Sequence, residues 1–260
     1  MRIVLVIEYD GSQYHGWQEQ VGLKTLQSTL EKAISSVANH EVKVVCAGRT
    51  DTGVHASNQV IHFDSENHRS IRAWVYGVNS ALPKDICVKW GKEISDEFHA
   101  RFSAISRKYR YIIHNSAVRP ALLRSNITWQ YRQLDAHLMH EAAQCLRGEH
   151  DFTSYRSVEC QAKTPMRNIS EISVKRIDDL ILIDIKANAF LHHMVRNIAG
   201  VLIAIGSGKK TVNWSNEVLL SKNRKLGAET APPYGLYLMG VTYPKEFDIK
   251  ESISKPLYID

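Results

Sequence analysis

A single aspartate lies in a short stretch of glycine, threonine and arginine, the sequence GRTDTG at residues 48–53. A carboxylate there can act as a nucleophile or as half of an acid–base pair. The Asp51-Thr52-Gly53 tripeptide also occurs in aspartic proteases, which need two carboxylates that share one proton. The sequence has no second Asp-Ser/Thr-Gly, so a protease would have to be a dimer, and charged Arg49 stands where such an enzyme has apolar residues. These observations favour a carboxylate that works alone.

A second candidate is Arg196, in a predicted helix at 190–206 that is apolar on nearly every side. A buried guanidinium requires a carboxylate partner, because an unpaired charge is costly to bury. A partner from the other half of the chain would place Arg196 in a groove. The alternative is an arginine anchored at the surface, and the sequence leaves both possibilities open.

Other stretches that could bind a ligand lack the required spacing. A phosphate-binding P-loop would need a glycine five residues before Gly208, and Ile203 is there. The adjacent His192 and His193 cannot share one helical face as i,i+4 zinc ligands do, so we expect no metal site. The four cysteines are far apart in the sequence, which is typical of a reducing cytosol.

The distribution of charge indicates a polyanionic partner. The net charge is +6, and residues 98–134 include seven basic residues and no acidic one. Aromatic residues are interleaved with them, and such a surface can neutralise phosphates and stack bases. The loop 153–168 is also basic, and it is long for a connector. A solvated basic face is the alternative. No apolar run could span a membrane, so we expect a cytoplasmic protein without membrane association.

Hydrophobic periodicity predicts the order strand, helix, strand, strand, helix, strand, and then the same order again. The predicted strands are 2–9, 42–46, 58–63, 86–94, 107–114, 171–177, 180–187 and 236–243, and the predicted helices are 25–39, 70–82, 135–148 and 190–206. This is a duplicated ferredoxin-like order, and a single α+β sheet with extra helices is the alternative. We expect a half at 1–105 that carries the Asp51 loop, a half at 106–245 and a tail at 246–260.

Five stretches spread over the chain are typical of one family. They are AGRTDTGVHA (47–56), FHARFSA (98–104), RKYRY (107–111), NAFLHHMVRNIAG (188–200) and YGLYL (234–238). Through them the chain resembles the tRNA pseudouridine synthase family over almost its full length. The resemblance implies an α+β pseudouridine synthase fold, with two ferredoxin-like halves joined in one mixed, mainly antiparallel sheet that has a central active-site cleft. It also implies a homodimer, a tRNA substrate, and no cofactor or metal.

The same resemblance implies four roles around the reacting uridine. Asp51 matches the catalytic nucleophile. Tyr109, the first tyrosine of RKYRY, would pack on the target uracil and take its C5 proton. Arg196 would be the basic partner that keeps Asp51 ionised and oriented, and Leu236 would line the base pocket.

Further residues are implied as contacts of the tRNA. Arg49 would contact the RNA, and Arg69 is placed like the arginine that takes the position of the flipped base. Two segments complete the implied contact surface: Phe98, His99, Ala100, Arg101 and Phe102, and Glu159, Cys160, Gln161, Ala162 and Lys163.

The implied reaction converts uridine to pseudouridine at position 38, 39 and/or 40 of the tRNA anticodon stem-loop, with the uridine flipped out. It breaks the N-glycosidic bond, turns the uracil and rejoins it through C5, with nothing oxidised or lost. Asp51 could attack uracil C6 or ribose C1′, and the sequence does not choose between them. The alternative function is a non-catalytic RNA-binding module of paired RRM-like folds, which leaves the lone aspartate unexplained.

Overall fold

The computed structural model describes residues 1–249, in which the chain forms two compact units. The first unit contains residues 1–107 and the segment that begins at Tyr237, and the second contains residues 108–236. None of the helices within residues 1–249 is long and apolar enough to cross a membrane. Most of the predicted tail, 246–260, lies outside the described residues.

Within residues 1–249 the two units contain ten strands and five α-helices. The strands are β1 (Arg2–Tyr9), β2 (Val45–Cys46), β3 (His55–Asp64), β4 (Ile86–Ile94), β5 (Ser106–Asn115), β6 (Thr128–Gln130), β7 (Gly148–Asp151), β8 (Met166–Ile177), β9 (Leu180–Ala187) and β10 (Leu236–Thr242). The helices are α1 (Leu26–Ala38), α2 (Val78–Ala81), α3 (Ala136–Ala143), α4 (Met194–Gly206) and α5 (Trp214–Ser221).

The first unit has the strand order β4-β1-β3, with β2 and β10 both paired to the other edge of β3. Strand β1 is antiparallel to both neighbours and is buried along almost its whole length, as its run of β-branched residues predicts. The order β4-β1-β3-β2 is that of a ferredoxin-like fold, which confirms the predicted α+β class for this half.

The helices of the first unit cover one face of this sheet. Helix α1 begins after Thr25, whose side chain accepts a hydrogen bond from the Ser28 N–H, and it ends at Asn39 in a left-handed conformation. The predicted helix at 70–82 is shorter and contains a π-helical turn over Ala73–Gly77. That turn buries Trp74 against Phe63 of β3, with the ring centroids 5.1 Å apart.

The second unit has the strand order β5-β9-β8-β7, with β6 parallel to β5. The predicted hairpin at 171–187 is confirmed: β8 and β9 are antiparallel, and Asp178 in their turn has φ +50°. Asp135 caps α3 by accepting from the N–H groups of His137 and Leu138. Strands β5, β8 and β9 correspond to the first, second and third strands of a ferredoxin-like unit in chain order. In the sheet they lie in the order first, third, second, as that fold requires.

Several boundaries differ from the sequence predictions. Strand β2 has two residues where five were predicted, and α4 begins at Met194 rather than at residue 190 because His193 is left-handed, with φ +62°. Helix α5 and strands β6 and β7 were not predicted. Strand β10, assigned from sequence to the second half, groups largely with the first unit because its residues Tyr237 and Leu238 pair with β3.

Candidate active site

Asp51 lies on the loop 47–54, which connects β2 to β3 in the first unit. The Ala47 N–H donates to the Val60 carbonyl at 2.8 Å, and the Val54 N–H donates to the Asp51 carbonyl at 3.1 Å. Gly53, between them, has φ +76°, a conformation that a β-carbon disfavours. The hydrogen bond from Val54 to Asp51 therefore closes a turn over residues 51–54. Asp51 itself is half-buried.

Thr50, the residue before Asp51, fixes the loop through contacts with Trp17 and Tyr9. The Thr50 carbonyl accepts from the Trp17 N–H at 2.9 Å, and the Thr50 hydroxyl is 2.8 Å from the Tyr9 hydroxyl at the end of β1. Gly16 has φ +80°, and a β-carbon there would lie 3.0 Å from the Thr50 carbonyl oxygen. Glycine at position 16 is thus what lets the chain approach the loop so closely.

His55, the last residue of the motif GRTDTGVH, is buried in the first unit and supports the Asp51 loop. It is 1% exposed, and its ring stacks on Tyr237 with the centroids 4.7 Å apart. Its Nδ1 is 3.1 Å from the Gly11 nitrogen, which donates to it, and 3.1 Å from the Asp10 carboxylate. These contacts hold the downstream end of the loop at the start of β3.

Arg49 and Arg101 lie near the same buried thiol. Burial raises the pKa of Cys46 to about 12, and the positive charges of Arg49 and Arg101 oppose that rise. Both arginine residues are exposed. Two of the predicted RNA contacts are therefore brought to one region of the first unit, next to the strand that leads into the Asp51 loop.

The turn 98–102 has a buried part and an exposed part. Phe98 and Ala100 are fully buried, so their side chains belong to the core, whereas Phe102 is 76% exposed. The His99 ring stacks on Phe102 at 4.3 Å, and the Arg101 guanidinium lies 5.7 Å from the Phe102 ring centroid. Of the five predicted contacts in this segment, Arg101 and Phe102 are the most accessible.

Two histidines hold this turn through their ring nitrogens. The Ala100 N–H donates to Nδ1 of His62, and the Arg101 and Phe102 N–H groups donate to Nδ1 of His99. Burial, followed by the charge of Arg2, lowers the pKa of His62 to about 4 and lowers that of His99 as well. Both rings are consequently neutral acceptors at neutral pH.

Arg107 connects the turn 98–102 to the Asp51 loop, a contact that could not be predicted from the sequence. Its Nη2 donates to the Arg101 carbonyl at 2.6 Å and to the Ala47 carbonyl at 3.1 Å, and its Nη1 donates to the Ala104 carbonyl at 3.2 Å. From sequence, Arg107 was one of seven basic residues on a predicted RNA surface. Its guanidinium instead makes these contacts inside the first unit.

Arg69 lies at the other end of β3 from Asp51. It is exposed, and its Nε donates to the Val37 carbonyl at 3.3 Å in the last turn of α1. Asp51 precedes β3 and Arg69 follows it, so a ten-residue strand, about 33 Å long at ~3.3 Å per residue, separates them. The structure therefore does not bring Arg69 to the Asp51 loop.

In the second unit, Tyr109 lies on β5 and is 8% exposed. Its ring meets the edge of Phe190, with the centroids 4.9 Å apart and the planes at 77°. Edge-to-face packing of this kind fixes the plane of the ring. The contact with Phe190 thus restricts the orientation of the Tyr109 ring.

Arg196 lies in the first turn of α4 and is half-buried. Its Nε donates to the Ala231 carbonyl at 2.9 Å, and the Ala231 N–H donates to the Arg196 carbonyl at 3.2 Å. This reciprocal pair of hydrogen bonds holds the stem of the guanidinium against the segment 231–236.

The segment 231–236 also binds β5 and ends at Leu236. The Tyr111 hydroxyl donates to the Pro232 carbonyl at 2.7 Å, and the Ile112 N–H donates to the Gly235 carbonyl at 2.8 Å. Leu236 is buried, and its N–H donates to the Pro233 carbonyl at 2.9 Å. One segment therefore ties together Arg196, Leu236 and the strand that carries Tyr109.

The loop with residues 159–163 lies beside the approach to α4. The Ser157 N–H donates to the His192 carbonyl at 2.9 Å, and the Cys160 N–H donates to the Ser157 carbonyl at 3.1 Å. Glu159, Gln161 and Lys163 are exposed, and Cys160 and Ala162 are half-exposed. The loop is anchored at its beginning, and its polar side chains face solvent.

Comparison with known proteins decides the family. The family model of tRNA pseudouridine synthases matches residues 5–103 and 142–244. The chain belongs to the tRNA pseudouridine synthase family. A tRNA pseudouridine synthase A from Legionella pneumophila (strain Lens) is 68% identical over 259 residues, 100% of this chain and 99% of that protein. One from Coxiella burnetii (strain Dugway 5J108-111) is 55% identical over 258 residues, 99% of both chains.

A weaker likeness is found among solved structures. The crystal structure of the archaeal box H/ACA sRNP Nop10-Cbf5 complex aligns with 90% of this chain and 46% of that chain, at 14% identity and a TM-score of 0.34.

Membership of the family confirms the α+β pseudouridine synthase fold and shows that the chain is an isomerase that acts on tRNA uridine. Uridine and pseudouridine contain the same atoms, which makes the conversion an isomerisation. The alternative of a non-catalytic RNA-binding module is therefore wrong.

Proposed function

We propose that this enzyme converts uridine to pseudouridine at position 38, 39 and/or 40 of the tRNA anticodon stem-loop, with Asp51 as the nucleophile. The observation that carries the proposal is a single half-buried carboxylate on a loop that Thr50, Gly16 and Gly53 hold in place. A nucleophile must keep its geometry through bond cleavage and bond formation, and a fixed backbone provides that. Proteins that are 55–68% identical to this chain carry the name tRNA pseudouridine synthase A.

The proposed reaction assigns one task to each of four side chains. Asp51 attacks the flipped uridine at uracil C6 or ribose C1′, and the N-glycosidic bond breaks. The uracil then rejoins the ribose through C5, the bond to Asp51 breaks, C5 loses its proton and N1 takes one up. Tyr109 stacks on the uracil and takes the C5 proton, a task suited to a ring that Phe190 orients. Arg196 keeps Asp51 ionised, since a nearby positive charge favours the carboxylate. Leu236 supplies an apolar wall for the base.

The proposed RNA contacts combine charge with stacking surface. Arg49 and Arg101 are exposed cations, and Phe102 offers a ring that His99 and Arg101 already flank. The exposed residues of the loop 159–163 extend the contact in the second unit. We do not assign to Arg69 the task of taking the position of the flipped base, because Arg69 follows β3 and Asp51 precedes that strand. A homodimer in the cytoplasm, where tRNA is found, completes the proposal.

Release of the C5 hydrogen tests this function. A transcript of the anticodon stem-loop, tritiated at C5 of its uridines, should lose tritium to water when the enzyme is added. Replacing the uridines at 38, 39 and 40 with cytidine should abolish the release, whereas replacing uridines of the loop outside these positions should not. Release that persists without uridine at 38–40 would contradict the proposed site of modification.

A further inference from the structure

A buried amide lies beside Arg196, and the proposed reaction does not use it. Asn197 is 1% exposed in the first turn of α4. Its Oδ1 accepts from the Thr230 hydroxyl at 2.7 Å and from Arg224 Nη2 at 2.9 Å, and its Nδ2 donates to the Tyr155 carbonyl at 2.8 Å. Arg224 Nη2 also donates to the Thr230 hydroxyl at 3.0 Å. Asn197, Arg224 and Thr230 therefore form a closed network of hydrogen bonds.

Thr230 connects this network to Arg196 through the next residue. The Ala231 carbonyl is the acceptor of Arg196 Nε, and the Ala231 N–H binds the Arg196 carbonyl. Because Thr230 and Ala231 are adjacent, a change in the position of one moves the other. The direction of the Arg196 side chain consequently depends on where the network holds Thr230.

The segment before Thr230 lies directly against the helix. At Gly200, one turn after Arg196, a β-carbon would collide with the Glu229 carbonyl oxygen. The backbone of 229–231 therefore follows α4 closely, with the Thr230 side chain fixed by Asn197. This packing limits the movement that the segment can make without breaking the network.

The chemistry of the network suits a supporting task. Burial lowers the pKa of Arg224, and the atoms that accept from its Nη2 are the neutral oxygens of Asn197 and Thr230. None of the three members is a carboxylate, so the network fixes Arg196 without neutralising it. A second carboxylate here would compete with the substrate-facing one for the charge of Arg196.

We propose that Asn197, Arg224 and Thr230 are positioning residues that hold the Arg196 guanidinium for its task beside the reacting carboxylate. This inference rests on the proposed function, in which Arg196 keeps Asp51 ionised. When the network is incomplete, Arg196 turns away part of the time, and the reacting carboxylate takes up a proton at higher pH. The loss appears in the chemical step rather than in the binding of tRNA.

The test compares Thr230→Val with Thr230→Ser in the full-length enzyme. Valine has the shape of threonine without the hydroxyl, whereas serine keeps the hydroxyl. Single-turnover tritium release from C5-tritiated tRNA is measured over a pH series, and tRNA affinity by filter binding. Thr230→Val should slow release about three- to tenfold, the effect of losing one buried hydrogen bond, and move the acidic limb of the profile to higher pH. Thr230→Ser should keep the wild-type rate and acidic limb.

A second variant and two reference variants separate the possible outcomes. Arg224→Met, which removes the two hydrogen bonds that Arg224 Nη2 donates to Asn197 and Thr230, should shift the acidic limb in the same direction. Wild-type rates and acidic limbs in both Thr230→Val and Arg224→Met, with lower melting temperatures alone, would overturn the positioning role. Asp51→Asn and Arg196→Lys are measured in the same series. Full release by Asp51→Asn would refute the proposed function itself, whatever the Thr230 variants do.

Discussion

Replacing Gly16 with alanine should slow the reaction, because Gly16 touches the loop that carries Asp51. An added β-carbon would lie 3.0 Å from the Thr50 carbonyl oxygen, 3.1 Å from the Thr52 nitrogen and 3.2 Å from the Asp51 carbonyl carbon. All three are backbone atoms of the loop, so none can swing aside as the end of a flexible side chain would. The loop itself has to shift by a few tenths of an ångström.

Gly22 provides a matched control for this substitution. Its φ is +76°, close to the +80° of Gly16, but within residues 1–249 a β-carbon there would meet no atom within 4 Å beyond its chain neighbours. Each Gly→Ala change should cost about 1–2 kcal/mol of unfolding free energy, because alanine disfavours a left-handed backbone. Gly16→Ala should cost about 1–3 kcal/mol more, the usual range for a forced contact.

The decisive difference should appear in the rate of the chemical step. Since a misplacement of about 1 Å can cost about 100-fold, a shift of a few tenths should slow Gly16→Ala about tenfold relative to Gly22→Ala. The assay is single-turnover tritium release from C5-tritiated tRNA, with unfolding free energies from urea titrations. If the two variants release tritium at the same rate, the contact between Gly16 and the loop does not fix Asp51.

Three further predictions concern the support of the site. Tyr111→Phe leaves the Pro232 carbonyl without its donor and should cost about 1–3 kcal/mol in urea unfolding, whereas Tyr131→Phe at an exposed site should cost almost nothing. Arg107→Lys cannot reproduce the fork in which Nη1 donates to the Ala104 carbonyl and Nη2 to the Ala47 carbonyl. Single-turnover release should therefore fall severalfold, unlike in exposed Arg119→Lys. Folding lowers the pKa of His62 from 6.5 to about 4, so between these pH values the unfolded chain binds a proton that the folded chain does not. The free energy of unfolding should therefore fall as the pH drops from 6.5 to about 4. His62→Asn should weaken this pH dependence, measured as urea midpoints at several pH values.

Much of the architecture could be predicted from sequence, because local patterns determine it. The alternating and β-branched runs gave β1, β4 and β9 close to their observed bounds, and Thr25 and Asp135 act as the predicted N-caps. The predicted boundaries of elements were wrong where tertiary contacts determine them. The left-handed His193 delays α4, and β10 joins β3 through parallel pairing that involves residues about 180 positions apart in the chain.

The candidate site, too, could be predicted from the sequence only in part. Asp51, Tyr109 and Arg196 could be named as candidates from motifs, because each lies in a recognisable sequence context. The supporting contacts could not: the hydrogen bonds from Arg107 to Ala47, from Ala100 to His62 and from Arg224 to Asn197 each join residues that are distant in sequence. Burial also separates Phe98 and Ala100 from their exposed neighbours Arg101 and Phe102, which sequence alone treated as one contact segment.

The most direct test of the account is single-turnover tritium release by Asp51→Asn, measured on saturating C5-tritiated tRNA with the affinity determined in parallel. Asparagine keeps the size of aspartate but cannot act as the nucleophile, so release should fall about 10⁴-fold or more while tRNA affinity stays within a few-fold of wild type. Asp178→Asn, at the exposed hairpin turn where φ is +50° and asparagine is well tolerated, is the control and should release tritium normally. Release by Asp51→Asn within tenfold of wild type would contradict the assignment of Asp51 as the nucleophile.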